Sequence, residues 1–179
     1  SIYPEYDNAF EELSRHSGIP IDGFTLTNGT DEAIQILINT YVEDGDEVLM
    51  LRPSYAMYKF YSQLAGARVE ELDYRPGTLA FPLEELLERI TPSTRAVLIS
   101  NPNNPTGTGT PAAALRKILE TAPHAAVLID EAYYEFSGVP MLPLLDEYPN
   151  LLVSRTFSTI SGMAALRCGC LFSPRANIA

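Results

Sequence analysis

The residues best suited to chemistry lie in Val153–Arg167, VSRTFSTISGMAALR. An apolar run, Leu151–Val153, gives way to the hydroxyls of Ser154, Thr156, Ser158 and Thr159, with Arg167 following. Hydroxyls and a guanidinium at the exit of a strand can receive a phosphate. The same hydroxyls also suit a turn that ends in a helix N-cap, and this stretch alone leaves both readings open. Asp130 closes the apolar run Ala125–Ile129, and a carboxylate at the end of a buried strand is costly unless it is paired. Asn101–Gly107, NPNNPTG, forms a rigid loop that continues neither a strand nor a helix.

These groups need elements to hold them. Apolar residues at 9, 10 and 13 give Ala9–Ser17 a helical spacing that Gly18 ends. His16 reads as a surface residue of its last turn. Phe24–Thr27 is β-prone and leads through Asn28-Gly29 into the periodic run Ala33–Tyr41. Thr30 is expected as the N-cap, with Asp31 and Glu32 in the first turn. Glu47–Leu51 is the next strand, followed by a helix over Ser54–Ala65 with tyrosines at 55, 58 and 61. That stripe reads as a packed face, with Tyr55 best placed to lie over a ligand. Arg68–Leu72 and Arg95–Ser100 are strands, and Pro82–Ile90 is a helix with proline at its first position. Pro111–Glu120 and Met141–Glu147 read as helices, and Leu151–Val153 and Cys168–Ser173 as the last strands.

Strands alternating with helices predict a three-layer α/β/α fold around a mainly parallel mixed sheet. Ligands of such sheets sit beyond the carboxyl ends of the strands. Those ends carry the Thr30 turn, Tyr55, the Asn104 loop, Asp130 with Tyr133, and Ser154–Thr159.

Composition narrows the function. The 179 residues are 46% hydrophobic and 20% charged, as in a soluble globular domain with a sizeable core. A net charge of −11 argues against a nucleic-acid surface. No run reaches the roughly 18 apolar residues of a membrane span, and no secretory leader is visible. Cys168 and Cys170 share one face of a strand, where direct bridging is poor. They are expected as reduced core residues of a cytoplasmic protein. Because the chain opens at Ser1 and stops in a polar run, a piece of a longer protein is expected.

A flat heteroaromatic cofactor bearing a phosphate would use the whole set. Its ring nitrogen needs an anion, Asp130, and its ring face a stacking partner, Tyr55. A phenolate-type oxygen needs the Asn104 amide and the Tyr133 hydroxyl. The phosphate needs the backbone N–H groups of Thr30 and Asp31, with Thr156, Ser158 and Arg167. Pyridoxal 5′-phosphate has those parts, and an aspartate on its pyridinium makes it an electron sink. The chain resembles the fold-type I pyridoxal-phosphate aminotransferases of class I/II, most closely the histidinol-phosphate aminotransferase branch. The matching stretches are Tyr3–Pro4, TNGTDEAI at Thr27–Ile34, RPSYAMY at Arg52–Tyr58, Asn101–Gly107, IDEAYYEF at Ile129–Phe136, and Ser154–Gly169.

The resemblance implies amino transfer between L-histidinol phosphate, or a related amino compound, and 2-oxoglutarate/glutamate, a step of histidine biosynthesis. It implies a homodimer in which Tyr3 reaches the neighbouring subunit's cofactor phosphate. It casts residues 1–179 as the cofactor-binding large domain, without the N-terminal arm and the C-terminal small domain. It also exposes a departure. The family's catalytic lysine, which holds the cofactor covalently and moves the substrate proton, is expected at position 159, where this chain has threonine. Its only lysines, Lys59 and Lys117, fall within expected helices. The alternative is therefore a catalytically inactive cofactor-binding or partner subunit of the same family.

Overall fold

The computed structural model describes residues 5–178; Tyr3 lies outside them. Seven strands form one sheet: β1 (Phe24–Asn28), β2 (Glu47–Arg52), β3 (Arg68–Asp73), β4 (Thr94–Ser100), β5 (Ala126–Asp130), β6 (Leu151–Thr156) and β7 (Cys168–Phe172). Their order across the sheet is β1-β7-β6-β5-β4-β2-β3. Strands β3, β2, β4, β5 and β6 pair in parallel, whereas β7 runs antiparallel to both β6 and β1. Only β7 is reversed, so the C-terminal ends of the other strands lie along one edge.

The period-two alternation of the strands divides the core between the two faces. Val48, Met50, Ala96, Leu98, Ala126, Leu128 and Leu152 face α2 (Gly29–Tyr41) and α3 (Ala56–Leu64). Helix α2 inserts Ala33, Ile34, Leu37 and Ile38, which are fully buried. Their i, i+1, i+4, i+5 spacing is the apolar stripe of a helix lying on a sheet. The alternate residues Leu49, Leu51, Val97, Ile99, Val127, Ile129, Leu151 and Val153 pack on the opposite face. There they meet Leu86 of α4 (Leu83–Arg89) and Leu115, Ile118 and Leu119 of α5 (Ala112–Thr121), with Phe10 and Leu13 of α1 (Asp7–Ser17) at the margin. The expected three-layer α/β/α architecture is observed.

Several boundaries differ from expectation. Strand β6 continues three residues past Val153, because Ser154, Arg155 and Thr156 pair with Leu171, Cys170 and Gly169 of β7. Cross-strand bonding there outweighs the turn preference of Ser and Thr. No α-helix follows it directly; a turn leads to a short 3₁₀ segment, Ala164–Leu166. The expected helix over Met141–Glu147 is only the 3₁₀ segment Leu142–Leu144, in which the Leu144 and Leu145 amides donate three residues back, to the Met141 and Leu142 carbonyls. Pro82 stands at the cap position of α4, one residue before its first turn. Both cysteines are free, Cys170 buried in the core and Cys168 only half-buried. No described helix is long and apolar enough to cross a membrane.

Candidate active site

Beyond the strand ends lies a cavity of about 150 Å³ lined by Thr30, Asp31, Tyr55, Ser100, Asn104, Asp130, Ala132, Tyr133, Thr156, Ser158, Thr159 and Arg167. At roughly 30 Å³ per water, this is room for a small molecule rather than a polymer. The site residues read from the sequence converge here, Tyr3 alone falling outside the described residues.

The acid end is built by strand register. Asp130 is the last residue of β5, opposite Ser100 on β4 and Ser154 on β6. Alternation points its side chain to the α2/α3 face. The fully buried Tyr58 of α3 donates its hydroxyl to Asp130 Oδ2 at 2.7 Å. Ser154 Oγ and the Ala132 amide donate to Oδ1 at 3.0 and 3.1 Å. Burial pushes the Asp130 carboxyl above the usual carboxylate range, and these three donors pull it back. Among the described residues no basic side chain pairs with it. The tyrosine stripe therefore splits: Tyr55 lines the cavity, Tyr58 holds the acid from beneath, and the two rings meet edge-on at 5.8 Å.

The neighbouring acid provides a contrast. Glu131 points to the other face, where Arg155 donates to its Oε2 from both Nε, at 2.8 Å, and Nη2, at 2.7 Å. The Met141 amide donates to its other oxygen, and Tyr134 of α6 (Tyr134–Ser137) lies 3.6 Å beneath the guanidinium. Of two consecutive buried carboxylates, Glu131 has a cation and Asp130 has none.

At the opposite end, the β1–β7 register pairs Asn28 with Cys168. Gly29 and Arg167 are thus the next residues out from the sheet on adjacent strands. Gly29 adopts φ +70°, and a Cβ there would stand 2.6 Å from Arg167 Nη2. A Cβ at Gly169 would press on the Gly29 backbone at 2.8 Å. Two glycines therefore let the guanidinium lie against the first turn of α2. Arg167 itself sits in the left-handed region at φ 48°, a conformation that costs a non-glycine residue about 1–2 kcal/mol. Its Nη1 donates to Ser158 Oγ at 3.2 Å, and its Nη2 lies 3.7 Å from Asp31 Oδ2. The Ser158 amide donates to Thr156 Oγ1 at 3.2 Å. Tyr55 closes the rim by donating its hydroxyl to Asp31 at 2.7 Å; burial and this bond raise the phenol to about 12.

Thr30 is not the N-cap. Helix α2 starts at Gly29, and the Glu32 carboxylate folds back to accept from the Asn28 amide N–H at 2.6 Å and from Asn28 Nδ2 at 3.0 Å. With the cap supplied from within the helix, Thr30 moves into the first turn. Its buried Oγ1 has no hydrogen-bond partner. A buried unpartnered hydroxyl beside free N–H groups is costly unless a ligand satisfies it.

The asparagines of the 101–107 loop divide their work. Asn101 bonds both ways with the Thr110 backbone. Asn103 donates to the Pro53 carbonyl and Thr106 and accepts from Ser54. Asn104 makes no side-chain hydrogen bond among the described residues and is the one that lines the cavity. Tyr133 lines it too. Thr159, at the mouth, donates to the Ala132 carbonyl at 3.3 Å.

The sequence matches the family "Aminotransferase class I and II" over residues 3–179. Histidinol-phosphate aminotransferase 1 of Bacillus anthracis is 37% identical over 177 residues, covering 94% of this chain and 47% of that protein. The histidinol-phosphate aminotransferase of Dehalococcoides mccartyi strain CBDB1 is 37% identical over 163 residues, 90% of this chain and 45% of the other. Among solved structures, that of the Sinorhizobium meliloti histidinol-phosphate aminotransferase in complex with pyridoxal-5′-phosphate superposes with a TM-score of 0.84 at 25% identity, covering 96% of this chain and 47% of that one. A double mutant of Thermus thermophilus aspartate aminotransferase gives a TM-score of 0.83 at 26% identity, covering 94% and 46%. The chain spans about half the length of the relatives it matches. A seven-stranded sheet with β7 reversed, a cavity at its strand ends and a family match over nearly the whole sequence agree, and the chain belongs to the class I and II aminotransferases.

Proposed function

We propose that this chain is the cofactor-binding large domain of a pyridoxal-phosphate-dependent aminotransferase of the histidinol-phosphate type. The observation that carries the proposal is Asp130: a buried carboxylate, held by three donors yet lacking a cation, at the wall of a small cavity. A pyridinium supplies the missing charge. The unpartnered Thr30 hydroxyl at the far end fits a phosphate oxygen. Both ends of the donor set therefore suit pyridoxal 5′-phosphate.

In this reading each residue has one task. Asp130 keeps the ring nitrogen protonated, with Tyr58 and Ser154 fixing its oxygens. Tyr55 covers the ring, and Asn104 and Tyr133 donate to the ring oxygen. Thr30, the N–H groups of the first turn of α2, Thr156, Ser158 and Arg167 bind the phosphate. When bound, the cofactor supplies an electron sink for charge that develops beside the amino-bearing carbon.

The reaction of the whole protein is amino transfer between L-histidinol phosphate, or a similar amine, and 2-oxoglutarate/glutamate. The 37% identical relatives support that choice of donor. The assembly is a cytoplasmic homodimer in which Tyr3 serves the neighbouring site, and sequence beyond this chain completes the substrate pocket. Thr159 favours a second reading for this chain. A hydroxyl cannot form an imine with an aldehyde and is a weak base, so the chain binds the cofactor without turning substrate over.

Thermal unfolding with added pyridoxal phosphate tests the assignment. Saturation at 100 times Kd stabilises by about 2.7 kcal/mol, which reads as a rise of several degrees in Tm. Asp130→Ala and Arg167→Ala are each expected to reduce that rise. A correctly folded chain whose Tm does not move at saturating cofactor contradicts the proposal.

A further inference from the structure

Residue 159 also sets the charge and hydrogen-bonding character of one wall of the cavity. The charged side chains lining the cavity are Asp31, Asp130 and Arg167. Arg167 lies against Asp31, so these two largely cancel. That leaves Asp130, whose charge a ring nitrogen would meet. A phosphate ester then adds about 1.5 to 2 negative charges. Other cations are committed elsewhere: Arg155 to Glu131 and Lys59 to Glu71. Neither lysine lines the cavity.

A lysine at 159 would supply one positive charge to this balance, and threonine supplies none. What residue 159 does offer is a hydroxyl oxygen beside the Ala132 carbonyl, 3.3 Å apart. Both accept hydrogen bonds. With the phosphate at Arg167 and the ring nitrogen at Asp130, these acceptors remain for the ring's last substituent. A primary ammonium there donates to both and restores the absent charge. An aldehyde carries neither a donor nor a charge, and a hydroxymethyl group carries no charge.

We infer that the site selects the amine form of the cofactor, pyridoxamine 5′-phosphate, over the aldehyde and alcohol forms. The inference rests on the cofactor assignment proposed above. It makes the chain a receptor for an amino-bearing phosphopyridine rather than for a reactive aldehyde.

Isothermal titration of the unaltered chain with pyridoxamine 5′-phosphate, pyridoxine 5′-phosphate and pyridoxal 5′-phosphate tests it. The alcohol is the size-matched uncharged control. The amine is expected to bind about tenfold or more tightly than the alcohol, the effect of one opposed charge at short range. In Thr159→Lys the order should invert. The new ε-amine repels the ligand ammonium, and it condenses with the aldehyde carbon, a C=N bond replacing C=O as one water leaves. The ligand comparison on the unaltered chain stands even if that variant does not fold. Equal or weaker binding of the amine overturns the inference and leaves the cofactor assignment intact. Failure of all three ligands to bind a folded chain overturns both.

Discussion

Arg167 crosses the first turn of α2 directly over Gly29, so closely that a methyl group at 29 would stand 2.6 Å from its Nη2. The glycine is required twice, for its φ of +70° and for the room it leaves the guanidinium. Gly29→Ala is expected to cost about 1–2 kcal/mol of stability from the left-handed backbone alone. It should also lower affinity for a phosphate-bearing cofactor at least about tenfold by displacing Arg167. Urea unfolding and cofactor titration measure the two effects. A variant that binds as the unaltered chain does would show that Arg167 does not grip the phosphate.

Asp130 is a buried carboxylate that costs the free fold stability. Its carboxyl is held above the ordinary value of about 3.9 by burial. Between the ordinary and the raised value, the folded chain retains a proton that the unfolded chain has released. Stability therefore falls as pH rises through that interval. Asp130→Asn keeps acceptors for Ser154 and the Ala132 amide without a buried charge. Its Tm should match that of the unaltered chain below about pH 4 and exceed it at neutral pH, while cofactor affinity falls. Melting curves across pH, without cofactor, check this; a lower Tm for the variant at neutral pH contradicts it.

Burial also raises the Glu131 carboxyl, but this acid has a cation beside it. Arg155 and Glu131 have side chains only 13% and 0% exposed. Removing one partner strands a buried charge, at a cost of about 3–5 kcal/mol. Arg155→Met should show that loss in urea unfolding, and Arg155→Met with Glu131→Gln should recover most of it. If the double variant is as unstable as the single, the pair's value lies in packing against Tyr134 rather than in charge.

Asn103 and Asn104 are adjacent and should separate cleanly. Asn103→Ala leaves the Pro53 carbonyl and the Ser54 and Thr106 hydroxyls without this partner and is expected to cost about 1–3 kcal/mol. Asn104→Ala should change stability by no more than about 0.5 kcal/mol and weaken cofactor binding. Unfolding and binding measured side by side on both variants decide the matter.

Much of this site was legible because strand ends are marked by abrupt apolar-to-polar changes. Asp130 after AAVLI and Ser154 after LLV show it, as does the loop after Ser100. The features that the sequence does not show depend on long-range pairing. Tyr58 has the spacing of a packed face and is one, yet its hydroxyl meets an acid 72 residues away. Its position three residues after Tyr55, on the helix face turned to the sheet, was the available signal. Thr30 is as good a cap by residue type as any, but Glu32 reached back first. Ser154 and Thr156 look like turn residues until β7 pairs with them. In NPNNPTG the expected Asn104 does line the cavity, but the structural bonds of Asn101 and Asn103 depend on Thr110, Pro53 and Ser54, which only the folded loop brings near.

The most direct test is covalent. In Thr159→Lys, mixed with pyridoxal phosphate and reduced with borohydride, peptide mass mapping should find the phosphopyridoxyl group on residue 159. The unaltered chain should carry none there. Labelling of the variant confined to Lys59 or Lys117, with residue 159 unmodified in a folded protein, would contradict the placement of the cofactor in the cavity between Asp130 and Arg167.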